Sequence, residues 1–187
     1  MKLNSLTSNP VLIYLLKFFA IFCIAYFGTL AVVGLAAPGG KLYSPFVQQY
    51  LNYVGWIRAS LLYTSRFFLS LFGYHSQISN SYSLQVVGGK SVHIGYTCIG
   101  YGVFSFWMAF VLANAGLGIK KICWVIGGWV ILWLINIMRI CLLLITLNEN
   151  KKMPFNLDNH TFFNICAYIA IFILIYFFDK KRAVGSG

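Results

Sequence analysis

The charged residues of this chain stand at the ends of long apolar stretches, and that placement constrains its fold more than any other feature. Residues 18–37 carry no charge and follow Lys17; residues 99–119 carry none and stop at Lys120-Lys121. Residues 122–147 are interrupted by Arg139 alone, and 161–178 stop at Asp179-Lys180-Lys181-Arg182. About 20 mainly apolar residues are what a helix needs to cross the hydrocarbon core of a bilayer. Only 9% of the 187 residues are charged and 60% are hydrophobic, whereas soluble domains are about a quarter charged. Too little polar surface remains to clothe a water-soluble body. A net charge of +11, from 14 Lys+Arg against 3 Asp+Glu, would suggest nucleic acid in a soluble protein. Here most basic residues flank apolar runs, where they set orientation in a membrane, and nucleic acid is set aside as a partner.

The expected fold is an all-α polytopic membrane protein with four transmembrane helices, at 18–37, 99–119, 122–147 and 161–178, forming one integral membrane domain over residues 1–184. The first stretch lacks a clear small-residue cleavage site and is read as a retained span. Gly185-Ser186-Gly187 reads as a linker remnant. With the N-terminus in the cytoplasm, Lys2, Lys17, Lys120, Lys121, Lys180, Lys181 and Arg182 all fall on the cytoplasmic side. Lys151, Lys152 and the basic residues of the long segment 41–97 then lie outside. Within that segment Phe46 to Tyr74 is apolar, but Gln48, Gln49, Arg58 and Arg66 make it costly as a lipid-facing span. It is read as an amphipathic helix on the extracytoplasmic surface. Arg58 and Arg66, eight residues apart and roughly 80° apart around a helix, are read as contacts to anionic headgroups. After it, Ser83–Val87 and Lys90–Ile94 are β-prone and alternating, joined by Gly88-Gly89, which predicts a small hairpin with a two-residue turn. Leu84 and Val86 lie on one face, with Val92 and Ile94 on the matching face.

Ionisable residues in or beside spans are the natural functional candidates in so apolar a chain. Cys98 and His160 each open a span from the outer side, and Arg139 lies about 12 Å below the outer end of span three at 1.5 Å per residue. A snorkelling arginine can reach upward from there. The three can meet in a shallow pocket open to the outside. A thiol at a helix N-terminus beside a cation is enriched in its nucleophilic thiolate form. Histidine can move a proton between thiol and leaving amine, and arginine can stabilise an oxyanion or clamp a carboxylate. Asp158 stands close enough in sequence to orient His160, and His93 is the rival base. The scheme needs no cofactor and no metal. Cys23, Cys123, Cys141 and Cys166, all inside spans, read as small buried residues. Gly100 and Gly102 read as points of close helix packing.

Three blocks carry a resemblance: Thr97-Cys98-Ile99-Gly100, then Asn136-Ile137-Met138-Arg139-Ile140, then Asn159-His160 opening the last span. In this order they resemble the Cys, Arg and His blocks of the exosortase and archaeosortase family of polytopic transpeptidases, across roughly residues 80 to 178. The resemblance implies a membrane cysteine protease or transpeptidase of a prokaryotic inner membrane, its site facing outward. Cys98 would attack a peptide bond in the C-terminal sorting signal of an exported protein that carries a transmembrane tail. Arg139 and His160 would assist, and a cell-envelope acceptor would receive the product. Four spans make a minimal member, which a partner or a second copy could complete. Two other readings stay open: a non-catalytic subunit whose Arg139 pairs with a partner's transmembrane helix, and a membrane thiol acyltransferase.

Overall fold

The structure, a computed structural model, describes residues 9–116, 118–149 and 159–184. The chain is predominantly helical, with one three-stranded sheet. Helix α1 (Pro10–Ala36) begins where Asn9 accepts a hydrogen bond from the Val11 amide at 3.0 Å, with proline in the first helical position. It is apolar all round and presents Leu16, Phe19, Ile24 and Phe27 to its surroundings, as a helix does when its solvent is lipid. A π-helical turn (Val47–Leu51) leads to α2 (Tyr53–Leu71), then β1 (Ser76–Asn80), β2 (Ser83–Val86) and β3 (Ser91–His93). A 3-10 turn (Tyr96–Ile99) precedes α3 (Tyr101–Ala113), α4 (Lys120–Asn148) and α5 (Asn159–Val184). Two of these helices, α1 and α4, are long and apolar enough to cross a membrane.

The stretch expected to be span two is shorter than its sequence suggested. Helix α3 has 13 residues, about 20 Å of rise, against a hydrocarbon core of about 30 Å. Gly100 at φ +79° sets the first limit, and Asn114, extended at φ −64° and ψ 144°, sets the second, with Gly116 and Gly118 at φ +81° and +46° in the loop that follows. Residues in the left-handed region cannot continue a right-handed helix, so an uncharged run that reads as one span becomes a turn, a helix and a loop.

Helix α2 also departs from expectation. Val54, Arg58, Leu61, Ser65 and Leu69 recur at helical spacing along one buried face, and that face is covered by protein. Leu61, Leu62 and Leu69 join Leu84, Val92 and Ile94 of the hairpin region and Ile137, Ile140 and Leu144 of α4 in one apolar cluster. Trp133 of α4 donates to the Ser60 hydroxyl at 3.0 Å. The helix is therefore a layer between sheet and α4. Trp56, Tyr63, Phe67 and Leu71 stay exposed on its outer side.

The hairpin forms as expected, with Leu84 opposite Val92, but its register also pairs Ser83 with His93 and Gln85 with Ser91. The Val86 amide donates to Lys90 at 3.3 Å, which leaves Val87-Gly88-Gly89 as a three-residue loop in place of the two-residue turn. Gly88 takes φ +74° there. Strand β1 was not legible in the sequence. Ser76-Gln77-Ile78-Ser79-Asn80 has little intrinsic strand preference, and it becomes a strand by pairing along β2, which is central in the order β1-β2-β3.

The sheet leans on the last turn of α4. Asn148 accepts from the Lys90 amide at 2.7 Å and donates to the Lys90 carbonyl at 3.4 Å, taking the place of a further strand. The Tyr74 hydroxyl donates to Glu149. A second apolar cluster, around Trp107, joins α3 and α4 to Ile171, Leu174 and Phe178 of α5. The Trp107 indole donates to the Trp124 carbonyl at 3.0 Å and lies across Gly128, where a Cβ would come within 1.9 Å of Nε1. Gly128→Ala should displace the indole, break that hydrogen bond and cost about 1–3 kcal/mol. A lowered unfolding temperature in thermal melts followed by tryptophan fluorescence checks this.

Candidate active site

Cys98 sits in the 3-10 turn, where its amide donates to the Gly95 carbonyl at 3.0 Å. Gly100 then turns the chain in the left-handed region, and its carbonyl accepts the amides of Val103 and Phe104 at 2.9 and 3.1 Å to start α3. The residue at the helix boundary is thus Gly100. Cys98 lies just upstream with its own amide already paired, a correction to the helix-N-terminus address expected for it.

Asn136, half-buried on α4, donates to the Ile99 carbonyl at 2.9 Å. A Cβ on Gly100 would stand 3.2 Å from the same amide nitrogen, so the glycine admits the side chain as well as the backbone angle. Gly102 meets Tyr26 of α1, where a Cβ would lie 3.5 Å from the ring. Of the two expected packing glycines, Gly102 serves helix contact and Gly100 serves the turn.

One helical turn after Asn136, Arg139 shares its face of α4. Its Nη2 lies 3.9 Å from Cys98 Sγ. The Asn-x-x-Arg spacing therefore has a physical content: the first residue holds the backbone of the turn and the second meets the thiol the turn carries. Arg139 does not have to snorkel to the helix end. It is nine residues before Asn148, about 13 Å along the axis, and Cys98 is at its level because α3 begins low against α4. The hairpin and α2 fill the height above.

Arg139 and Asn136 also line a pocket of about 220 Å³ with Gly100, Tyr26 and Asn164. Asn164 belongs to the second turn of α5, one turn after the position of His160. The side chain of His160, with Asp158, Lys151 and Lys152, lies outside the described residues. The structure thus brings Cys98 and Arg139 together and sets the beginning of α5 beside the same pocket. His93 is elsewhere: exposed on β3, its Nδ1 is 3.2 Å from Ser83 Oγ and its ring 6.0 Å from that of Tyr82.

The other cysteines are also free thiols. Cys141, expected to be a small buried residue, is buried against α2 with Sγ donating to the Ser65 carbonyl at 3.6 Å, and Cys166 is half-buried. Cys23 and Cys123 are exposed on the apolar helices, contrary to the expected burial, because those faces have no protein against them. Among the described residues no group of three or more His, Cys, Asp or Glu could hold a metal ion.

Sequence reading missed two features. One is a larger apolar cavity of about 470 Å³ next to the site, sharing Tyr101 and Phe104 with the smaller pocket and lined also by Ile99, Trp129 and Trp133. Its few polar groups include the Thr29 and Tyr53 hydroxyls, paired with each other at 2.7 Å. No local signal marks such a space, since it lies among four helices and the 3-10 turn. The other is Arg58, expected at the headgroups and found 5% exposed, its guanidinium carbon 4.0 Å from the Tyr82 ring centre and 4.7 Å from that of Tyr96. Arg66, on the same helix, is exposed as expected. The chain matches no protein-family model, no curated protein and no solved structure.

Proposed function

We propose that this chain is a multi-pass membrane cysteine transpeptidase of the exosortase and archaeosortase type, acting on the C-terminal sorting signals of exported proteins at the outer side of a prokaryotic inner membrane. The observation that carries the reading is the 3.9 Å approach of Arg139 Nη2 to Cys98 Sγ. It joins two residue blocks far apart in sequence, in an arrangement that thiol chemistry can use. A guanidinium in the membrane is expensive, and one placed against a thiol faces either the thiolate or the oxyanion that forms beside it.

In the proposed reaction the Cys98 thiolate adds to the scissile carbonyl. Arg139 stabilises the tetrahedral oxyanion, and His160 protonates the leaving amine with the proton taken from the thiol. The C–N bond breaks and a thioester remains on Cys98. An amine or hydroxyl of the cell-envelope acceptor then attacks it, gives up its proton to His160 and regenerates the thiol. Asn136 acts as a positioning residue by holding the Ile99 carbonyl. The apolar cavity beside the site favours a second reading, thiol acyltransfer with a fatty chain in that cavity. The intact mass of the adduct on Cys98 separates them: a peptidyl mass supports the first and a fatty acyl mass the second.

The proposed architecture has four crossings with both termini in the cytoplasm, α3 and its flanking turns forming the second. Reporter fusions at Ser76 and Asn150 should both register as extracytoplasmic. A cytoplasmic signal at Ser76 alone would mean that α2 crosses the membrane.

Cys98→Ala should abolish processing of an exported substrate in cells while membrane insertion is unchanged, since no other group supplies the nucleophile. Arg139→Lys keeps the charge and loses the planar fork, and its rate should fall about 10²- to 10³-fold, the range for loss of one oxyanion donor. Immunoblots of substrate processing read both, and full processing in Cys98→Ala would end the covalent mechanism.

His160→Ala removes the proton carrier and leaves the nucleophile in place. Its residual rate should rise between pH 7 and about 9, because hydroxide then takes up the proton that His160 no longer accepts. A pH profile in membrane vesicles that is flat over this range would make His160 a substrate-positioning residue. An inactive His93→Ala beside a normal His160→Ala would move the base to β3.

A further inference from the structure

The apolar cavity of about 470 Å³ beside the site contains a group that the fold leaves without a partner. Serine and threonine within helices can turn their hydroxyls back to a carbonyl of the preceding turn, as Thr29 does to Ala25 and Ser60 to Ile57, each at 2.7 Å. Ser105, on the second turn of α3, is 5% exposed, and among the described residues its hydroxyl makes no hydrogen bond. The buried hydroxyls sealed off without a partner are those of Ser65 and Ser76. That of Ser105 keeps some accessible surface, and Ser105 lines the cavity. A buried hydroxyl left unpaired is costly. Its polar neighbours are satisfied: Tyr53 pairs with Thr29 at 2.7 Å, and the indoles of Trp129 and Trp133 donate to the Phe104 carbonyl at 3.2 Å and the Ser60 hydroxyl at 3.0 Å. Among the described residues no charged side chain lines the cavity.

We infer that this cavity binds a neutral single-chain lipid, with a hydroxyl or carbonyl oxygen of the lipid bonded to Ser105 and its hydrocarbon chain packed along Trp129 and Trp133. Entry is from the side. Ile126, Trp129 and Val130 of α4 line the cavity and are 53, 37 and 50% exposed, so it opens on the apolar flank of a helix long enough to cross a membrane. What reaches such an opening is lipid. Size selects a single chain: at about 30 Å³ per methylene, close to a water's share of liquid volume, the space takes roughly 15 carbons. A transmembrane helix about 10 Å across would fill it with only about 6 Å of its length, so the tail of a membrane protein does not fit. An ionic head group is excluded by the cost of burying a charge where nothing can pair with it. Ile99, whose carbonyl Asn136 holds, is part of the wall, so a bound chain packs against the turn that carries Cys98. Neither Cys98 nor Arg139 is part of it. The site depends on α4 lying in a membrane and not on what Cys98 reacts with.

The test uses the full chain in phosphatidylcholine nanodiscs with its tryptophans replaced by 5-fluorotryptophan, each fluorine resonance assigned by its loss from the matching Trp→Phe variant. The probes are hexadecan-1-ol, methyl hexadecanoate, hexadecane and hexadecyl sulfate. The alcohol or the ester should shift the Trp129 and Trp133 resonances saturably and leave that of Trp56, on the outer side of α2, in place; whichever binds tighter names the oxygen. Ser105→Ala should weaken that binding about fivefold, the factor for losing one neutral hydrogen bond, and leave the weaker binding of hexadecane unchanged. Ala25→Phe, which fills the cavity, should abolish the response while the Trp107 resonance keeps its native position. Should that variant misfold, the contrast between the oxygenated probe and hexadecane in Ser105→Ala decides. No saturable shift with either oxygenated probe, or an equal shift at Trp56, overturns the site. Equal affinity for hexadecane, untouched by Ser105→Ala, overturns it in favour of an ordinary lipid tail, and tighter binding of hexadecyl sulfate overturns the neutral ligand. The same titration on Cys98→Ala should give the same affinity, so that the site stands if no peptidyl adduct ever forms on Cys98. A loss of binding in Cys98→Ala would make the lipid part of the reaction and overturn the separate site.

Discussion

Asn136 donates to the Ile99 carbonyl from within a helix, and the placement of the thiol follows from that one hydrogen bond and the glycine beside it. The bond fixes the 3-10 turn against α4. Gly100, in the left-handed region, redirects the chain into α3 without the steric cost another residue would incur. In an apolar environment an unpaired carbonyl is costly, so the end of the turn is held firmly where the Asn136 amide stands. Arg139 then needs only to be one turn further along α4 to reach Cys98. A thiol and a cation are thus brought together by a helix repeat and a single backbone clamp.

The rest of the described fold can be understood as support for that turn. Helix α4 extends past it, and the sheet rests on the extension through Asn148 and Lys90. Helix α2 seals the other side with Leu61, Leu62 and Leu69. Below, Trp107 across Gly128 locks α3 to α4. Helix α4 contributes to both apolar clusters, through Ile137, Ile140 and Leu144 to one and through Val125 and Leu132 to the other.

Much of this was legible in the sequence for physical reasons. Uninterrupted apolar runs of helical length show in composition alone, and α1, α4 and α5 fall where such runs predicted helices. The alternation of Leu84 with Val86 and of Val92 with Ile94 marked the hairpin. What failed did so where tertiary partners decide the local state. Strand β1 exists because β2 offers it an edge, and α3 is short because it starts only after the left-handed Gly100 and stops where Asn114 turns extended. Arg58 is buried because two rings contributed by distant segments close over it. At the site, Cys98, Arg139 and His160 were expected to share one pocket, and the described residues set Cys98 Sγ and Arg139 Nη2 3.9 Å apart. The service of Asn136 as a clamp could have been suspected from an amide side chain one turn before a membrane arginine.

The three-residue loop Val87-Gly88-Gly89 has a bearing on which changes of length the chain can absorb. Side chains alternate faces along a strand, so removing one loop residue would invert β3 and carry Val92 from the apolar cluster to the surface. The amide of Ile94 donates to the Tyr82 carbonyl at 2.7 Å, and the segment that follows reaches the 3-10 turn with Cys98 within a few residues. A change of parity at the far tip of the hairpin is therefore transmitted to the position of the thiol. Insertions and deletions at that tip act on the placement of Cys98 in odd and even steps, whereas the exposed bends around Gly39 and Gly116 can vary in length without altering which face of any strand looks inward.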